Sequence, residues 1–234
     1  MVGYQDKSAI IRRILDGGII PVIRADSAQM ASRAITAIQN GGISVIEVTM
    51  TVPGAISVIE VMTDLLGDQA IVGAGTVRDK KTAQDCISAG ARFIVCPVLE
   101  LGVIECCVRM GVAVMPGALT PSEVFGAWTA GADLVKVFPA GAVGGASYIK
   151  ALRAPLPEVL LVPTGGVSLE TAADFIRAGA AALGVGTDLV DIAVLKNGQD
   201  HLISDRARQF VQIVREARAS LASVRDVNST VVGP

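Results

Sequence analysis

The chain has 234 residues, 51% of them hydrophobic and 18% charged, enough to bury the core of one large domain. Its net charge of −2, with no basic block or acidic tail, argues against nucleic acid and anionic membrane surfaces as partners. No apolar run reaches the roughly 20 residues that a membrane-spanning helix needs, so a membrane protein is not expected.

The chain opens with Gly3, Gln5, Asp6 and Lys7, followed by Arg12 and Arg13, without the apolar region of a secretory signal. A cytoplasmic location is therefore expected. Residues 7–15 read as an N-terminal helix. Eight β-branched runs follow, at residues 19–23, 44–49, 71–75, 93–97, 112–116, 134–138, 160–164 and 183–186. Their starts lie 19 to 27 residues apart, the spacing of βα units in a parallel sheet. Between them lie helical patterns. Asp26 followed by Gln29 reads as a capping pair for a helix running to about Gln39. Thr120-Pro121-Ser122-Glu123 puts Thr at the N-cap, Pro at N1 and Glu at N3, a full start signal. Leu169, Ala172, Ala173 and Ile176 share one helical face, as do Phe210, Ile213, Val214 and Ala217. Gly90, Gly111, Gly131 and Gly179 each follow a helical run, where a C′ glycine belongs. Eight βα units predict an α/β fold, a (β/α)₈ TIM barrel with an extra N-terminal helix. The barrel is expected over residues 1–224 and a frayed tail over 225–234. An open doubly wound sheet is disfavoured because no GxGxxG follows the first run.

The four cysteines, Cys86, Cys96, Cys106 and Cys107, form neither a CxxC pair nor a disulfide framework and read as reduced, buried residues. The single histidine, His201, cannot supply the several ligands of a catalytic zinc and reads as a solvated helix-start residue; no metal is expected, with a Mg site built from carboxylates alone as the open alternative.

In a barrel the chemistry gathers at the C-terminal ends of the strands. Lys136 stands in the apolar run Leu134-Val-Lys-Val-Phe138. A lysine there is unfavourable unless its charge is paired or suppressed. It reads either as a neutral amine poised to attack a ketone or as one half of an internal ion pair. Glu47, alone among Val45, Ile46, Val48 and Thr49, reads as a proton carrier or as that lysine's partner. Arg24 ends the first run and could hold a carboxylate through two hydrogen bonds, or pair with Asp26. Gly73-Ala-Gly-Thr76 admits close backbone approach, and the Thr76 hydroxyl could orient a substrate group. Pro97 ends the fourth run and can wall a pocket. Pro163-Thr-Gly-Gly166 and Gly184-Val-Gly-Thr187 end the last two runs, where barrels commonly hold phosphate.

Five segments together resemble the KDPG/KHG aldolase family: Pro21-Val-Ile-Arg24, Ile46-Glu-Val-Thr49, Gly73-Ala-Gly-Thr-Val77, Lys136-Val-Phe-Pro139 and Pro163-Thr-Gly-Gly-Val167. The resemblance implies a homotrimeric class I aldolase that needs no cofactor beyond a covalent imine on Lys136. It makes Glu47 the acid/base and Thr76 a holder of the pyruvyl part. Pro97 would lie against the pocket, with Thr164 among the substrate-binding residues. Gly165, Gly166, Gly186 and Thr187 would face a phosphate. Many family members carry an arginine where this chain has Thr51, and Arg24 fits the carboxylate-binding role instead. The expected reaction cleaves 2-keto-3-deoxy-6-phosphogluconate to pyruvate and glyceraldehyde 3-phosphate. Alternatives are the same chemistry on 2-keto-4-hydroxyglutarate or 2-keto-3-deoxy-6-phosphogalactonate, a sugar-phosphate isomerase or epimerase, and a non-catalytic barrel that binds a phospho-ligand.

Overall fold

Period-two alternation within short strands and helical faces between them build an α/β fold. The computed structural model of the chain describes residues 6–231, with side chains as far as residue 223. In chain order its elements are α1 (Lys7–Gly17), β1 (Ile19–Ile23), α2 (Ala28–Asn40), β2 (Val45–Thr49), α3 (Ala55–Leu66), β3 (Ile71–Gly75) and α4 (Lys80–Ser88). Then come β4 (Phe93–Val95), α5 (Leu101–Met110), β5 (Ala113–Met115), β6 (Gly117–Ala118), α6 (Pro121–Thr129), β7 (Val135–Val137) and α7 (Ala146–Arg153). The chain continues with β8 (Leu161–Pro163), α8 (Ala172–Arg177), β9 (Leu183–Val185), α9 (Ile192–Lys196) and α10 (Asp200–Val231). The expected tail from residue 225 falls on the end of α10, where side chains lie outside the described residues, as do residues 232–234 altogether.

Six strands form a curled parallel sheet in the order β5-β4-β3-β2-β1-β9, and β6-β7-β8 form a second parallel sheet. The fifth sequence run is split at Pro116. Proline has no N–H for a ladder bond, so β5 pairs with β4 while β6 pairs with β7. The sheets meet along both edges: the Val114 carbonyl accepts from the Asp133 amide at 3.1 Å, and Thr164 bridges to Gly184.

Alternation sorts the apolar side chains into two bodies. Ile19, Ile46, Val48, Val72, Ile94, Val135 and Val137 face the helices and join the larger core. Ile20, Val45, Ile71, Phe93, Ala113 and Leu134 point inward and join a smaller cluster with Ile10 and Ile14 of α1. The N-terminal helix thus plugs the N-terminal mouth of the sheet. Lys7 fixes it to Asp133 at 2.8 Å, and the Arg218 guanidinium of α10 caps its last turn at the Leu15 and Asp16 carbonyls.

The helix starts follow local chemistry. Thr120 and Glu123 form the expected capping box. The cap of α2 differs from expectation: Ser27 accepts from the Met30 amide at 3.2 Å, whereas Asp26 is held by Lys196 at 2.7 Å. Both residues can cap, and the long-range ion pair takes Asp26 away. Gly90, Gly111, Gly131 and Gly179 all have positive φ after their helices, as expected.

Candidate active site

Glu47 lies two residues beyond Val45 and Lys136 two beyond Leu134, so both side chains continue the inward face of their strands. There they end the apolar stack. Both are buried, at 2% and 3% exposure. Burial raises the Glu47 carboxyl above its ordinary 4.5, and the positive charges of Lys136 and then Arg24 pull it back only in part. Charge therefore couples three of the sequence-predicted residues, from β1, β2 and β7. Among the described residues Glu47 Oε1 has no hydrogen-bond partner although it is fully buried. A polar atom left open in this way fits a group that receives a water or a substrate hydroxyl.

Two contacts fix these side chains. In register, Thr49 of β2 stands opposite Gly75 of β3, and Glu47 opposite Gly73. A Cβ on Gly75 would fall 1.9 Å from Glu47 Oε1, so the carboxyl occupies the space a side chain would need. Below it, a Cβ on Gly73 would meet the Phe93 ring at 2.5 Å, which makes that ring the apolar floor. The Lys136 ammonium lies 5.4 Å from the centroid of the Phe138 ring, a cation–π distance.

The remaining predicted residues ring the C-terminal ends of the strands. Thr76 has a φ of 59°, a left-handed conformation that costs a threonine about 1–2 kcal/mol. The next amide, of Val77, donates to the Val95 carbonyl at 3.1 Å and holds this turn against β4. Pro97 packs its backbone against Gly117, where a Cβ would come within 2.4 Å of the Pro97 carbonyl. Thr164 is buried, and its hydroxyl fills the place of the missing side chain at Gly184. Gly165 and Gly166 have φ of 83° and 77°. The loops after β7 and β8 zip together there, with the Gly141 amide donating to the Gly165 carbonyl at 2.9 Å. Gly186 starts the turn after β9, and Thr187 is exposed beside it. The nearby α9 carries its own anionic cap, the Asp191 carboxylate on the Ala193 amide. An anion at these loops would therefore meet loop amides rather than that helix end.

Arg24 is exposed at the end of β1. The Arg24–Asp26 pair is not formed, since Lys196 holds Asp26. The sequence reading missed Phe138, Gly75 as the seat of Glu47, and a hydroxyl chain from Thr51 through Thr49 to the Ile23 carbonyl. The first lies two positions from Lys136. The others depend on strand register. Cys96 is fully buried, and burial pushes its thiol up to about 12, in keeping with an inert core residue. His201 is exposed on the first turn of α10. Among the described residues no three His, Cys, Asp or Glu side chains gather as metal ligands, and no helix is long and apolar enough to cross a membrane.

The sequence model of the KDPG and KHG aldolase family matches residues 10–205. The 2-dehydro-3-deoxy-6-phosphogalactonate aldolase of Escherichia coli (strain K12) is 34% identical over 201 residues, covering 85% of this chain and 95% of that protein. The KDPG aldolase of Legionella pneumophila, with pyruvate captured at low pH as a covalent carbinolamine, superposes with a TM-score of 0.78 at 29% identity. That match covers 85% of this chain and 96% of the other. A cube-shaped, porous protein cage designed by fusing symmetric oligomeric domains matches with a TM-score of 0.84 at 32% identity. It covers 92% of this chain and 78% of the cage chain. A match across most of the chain, together with a buried lysine and glutamate at the strand ends, shows that this chain is an aldolase of the KDPG and KHG aldolase family.

Proposed function

We propose that the protein cleaves 2-keto-3-deoxy-6-phosphogluconate to pyruvate and glyceraldehyde 3-phosphate through an imine on Lys136. The observation that carries this reading is the burial of Lys136 within electrostatic reach of Glu47, whose Oε1 has no hydrogen-bond partner among the described residues. The Lys136 amine adds to the C2 ketone, and the carbinolamine loses water to give the imine, with Glu47 moving the protons through a water. Glu47 then accepts the C4 hydroxyl proton, the C3–C4 bond breaks, and its electron pair passes into the protonated imine. Protonation at C3 and hydrolysis release pyruvate. A carboxyl raised by burial suits both halves of this shuttle.

Arg24 takes the substrate carboxylate, and Thr76, Pro97 and Thr164 line the pyruvyl part. Amides of Gly165, Gly166, Gly186 and Thr187 take the phosphate. The joined edges of the two sheets support a closed eight-stranded barrel, with β5 and β6 as one interrupted strand. Exposed Val98, Leu101 and Phe125 on the α5 and α6 side form an apolar surface suited to a homotrimer, and the cage neighbour's oligomeric domains fit this. Four buried free cysteines suit the reducing cytoplasm.

Borohydride reduction in the presence of pyruvate is expected to leave an adduct on Lys136. No adduct, or one on another lysine, overturns the reading. The 34% identity to the E. coli enzyme supports the 6-phosphogalactonate epimer as a second substrate. Comparing kcat/KM on both epimers and on 2-keto-4-hydroxyglutarate separates these substrates.

A further inference from the structure

The rim between β1 and β2 is held in an unusual way. The last registered pair of the two strands is Ile23 with Val48. Beyond it the backbone of β2 turns to its other neighbour, the Met50 amide donating to the Gly75 carbonyl at 2.8 Å. The tie back to β1 is made by a side chain, with the Thr49 hydroxyl 2.8 Å from the Ile23 carbonyl. Thr49 Oγ also lies 2.6 Å from Thr51 Oγ. A carbonyl only accepts, so the one Thr49 proton goes to Ile23, and Thr51 must be the donor in the second bond. The chain thus runs from exposed Thr51, through fully buried Thr49, to the peptide that joins Ile23 to Arg24. Arg24 is the residue it reaches. It stands exposed at the C-terminal end of β1, its guanidinium charge reaches the Glu47 carboxyl, and among the described residues it has no ion-pair partner.

We propose that Thr51 is a positioning residue: through Thr49 it fixes the Ile23–Arg24 peptide and so aims Arg24 at the carboxylate of a 2-keto acid. This rests on the reading that Arg24 binds that carboxylate while Lys136 forms the imine. It makes Thr51 act at a distance. Its single proton is spent within the chain, so it offers the substrate no donor of its own.

Pyruvate is the right probe, since beyond its ketone it offers only a carboxylate and a methyl. The experiment measures the pyruvate concentration that half-saturates the borohydride adduct on Lys136 in four variants. Arg24→Ala is expected to raise it roughly 10- to 100-fold, the size of a lost charged hydrogen-bond pair. Thr51→Val is expected to raise it about 3- to 10-fold with the maximal adduct unchanged, the size of one hydrogen bond. Thr51→Ser, which keeps the donor, is expected to restore the lower value. The double variant Thr51→Val/Arg24→Ala is expected to match Arg24→Ala alone, because Thr51 works only through that arginine. An unchanged value in Thr51→Val, or two effects that multiply in the double variant, overturns the proposal and leaves the aldolase reading standing. No adduct in the unaltered protein, or no effect of Arg24→Ala, overturns the underlying reading instead.

Discussion

The lower and upper halves of the sheet interior are built from the same strands and the same alternation, yet they are opposites. The lower half is apolar and buried: Ile20, Val45, Ile71, Phe93, Ala113 and Leu134 close on Ile10 and Ile14 of the N-terminal helix. One inward position higher, about 7 Å along each strand, Glu47, Gly73 and Lys136 replace the apolar side chains of β2, β3 and β7, while Val95, Met115 and Val162 still carry the apolar stack on β4, β5 and β8. The lower half supplies burial and rigidity. The upper half spends that rigidity on holding two ionisable groups out of water. A buried carboxyl is tolerated there in part because the positive charge of Lys136 acts on it and offsets some of the cost of burial.

The sharpest break in this comparison is Lys136→Met, which makes the upper half resemble the lower. Turnover of 2-keto-3-deoxy-6-phosphogluconate is expected to fall by roughly 10⁴-fold or more, without loss of fold, in a steady-state assay. Enlarging a gap in the lower half does the reverse. Ile14 is fully buried at the plug, and Ile14→Ala is expected to destabilise the protein by about 2–5 kcal/mol in urea unfolding. Its pyruvate affinity is expected to stay within about twofold, since the plug touches no reacting group. Gly75→Ala tests the seam between the halves. Its Cβ would collide with Glu47 Oε1, so kcat should drop about 100-fold with a destabilisation of about 1–3 kcal/mol.

The smallest effect concerns pH. Glu47 binds its proton more tightly when folded than in the open chain. Its contribution to stability is therefore fully present below the ordinary 4.5 and is lost as pH rises through the higher folded value. Thermal melts are expected to show Glu47→Gln gaining on the unaltered protein as pH rises from 4 to 8. A difference that stays flat or runs the other way would mean that the Lys136 charge outweighs burial. The same shift is expected to move the acid limb of the activity profile above the ordinary carboxylate range.

Much of this was legible in the chain. The eight β-branched runs fall on the strands, because runs buried on both faces carry their own signature in composition. Thr120 and Glu123 cap their helix as read, since a capping box involves only neighbours in sequence. A lone charge in an apolar run marks Lys136 and Glu47, because burying a charge is too unfavourable to occur without a partner or a task. Where neighbours could not decide, the sequence offered two answers. Asp26 and Ser27 are both competent caps, and only the distant Lys196 selects between them. Likewise Pro116 marks a break in its run, but only the distant β4 and β7 decide which half pairs with which.

What the sequence alone determined is the period, the punctuation and the identity of the anomalous charges, all properties of one residue or of a few in a row. The company those residues keep is set by the folded chain. Register sets Glu47 into the space left by Gly75, the curled sheet brings the charges of Lys136 and Arg24 within reach of Glu47, and the bond of β2 to β3 at Met50 leaves Thr49 and Thr51 to hold the peptide before Arg24. The Thr49–Ile23 bond joins residues 26 positions apart, and Gly75 lies further along the chain from Glu47 than any helix turn reaches, so packing rather than local propensity sets these contacts.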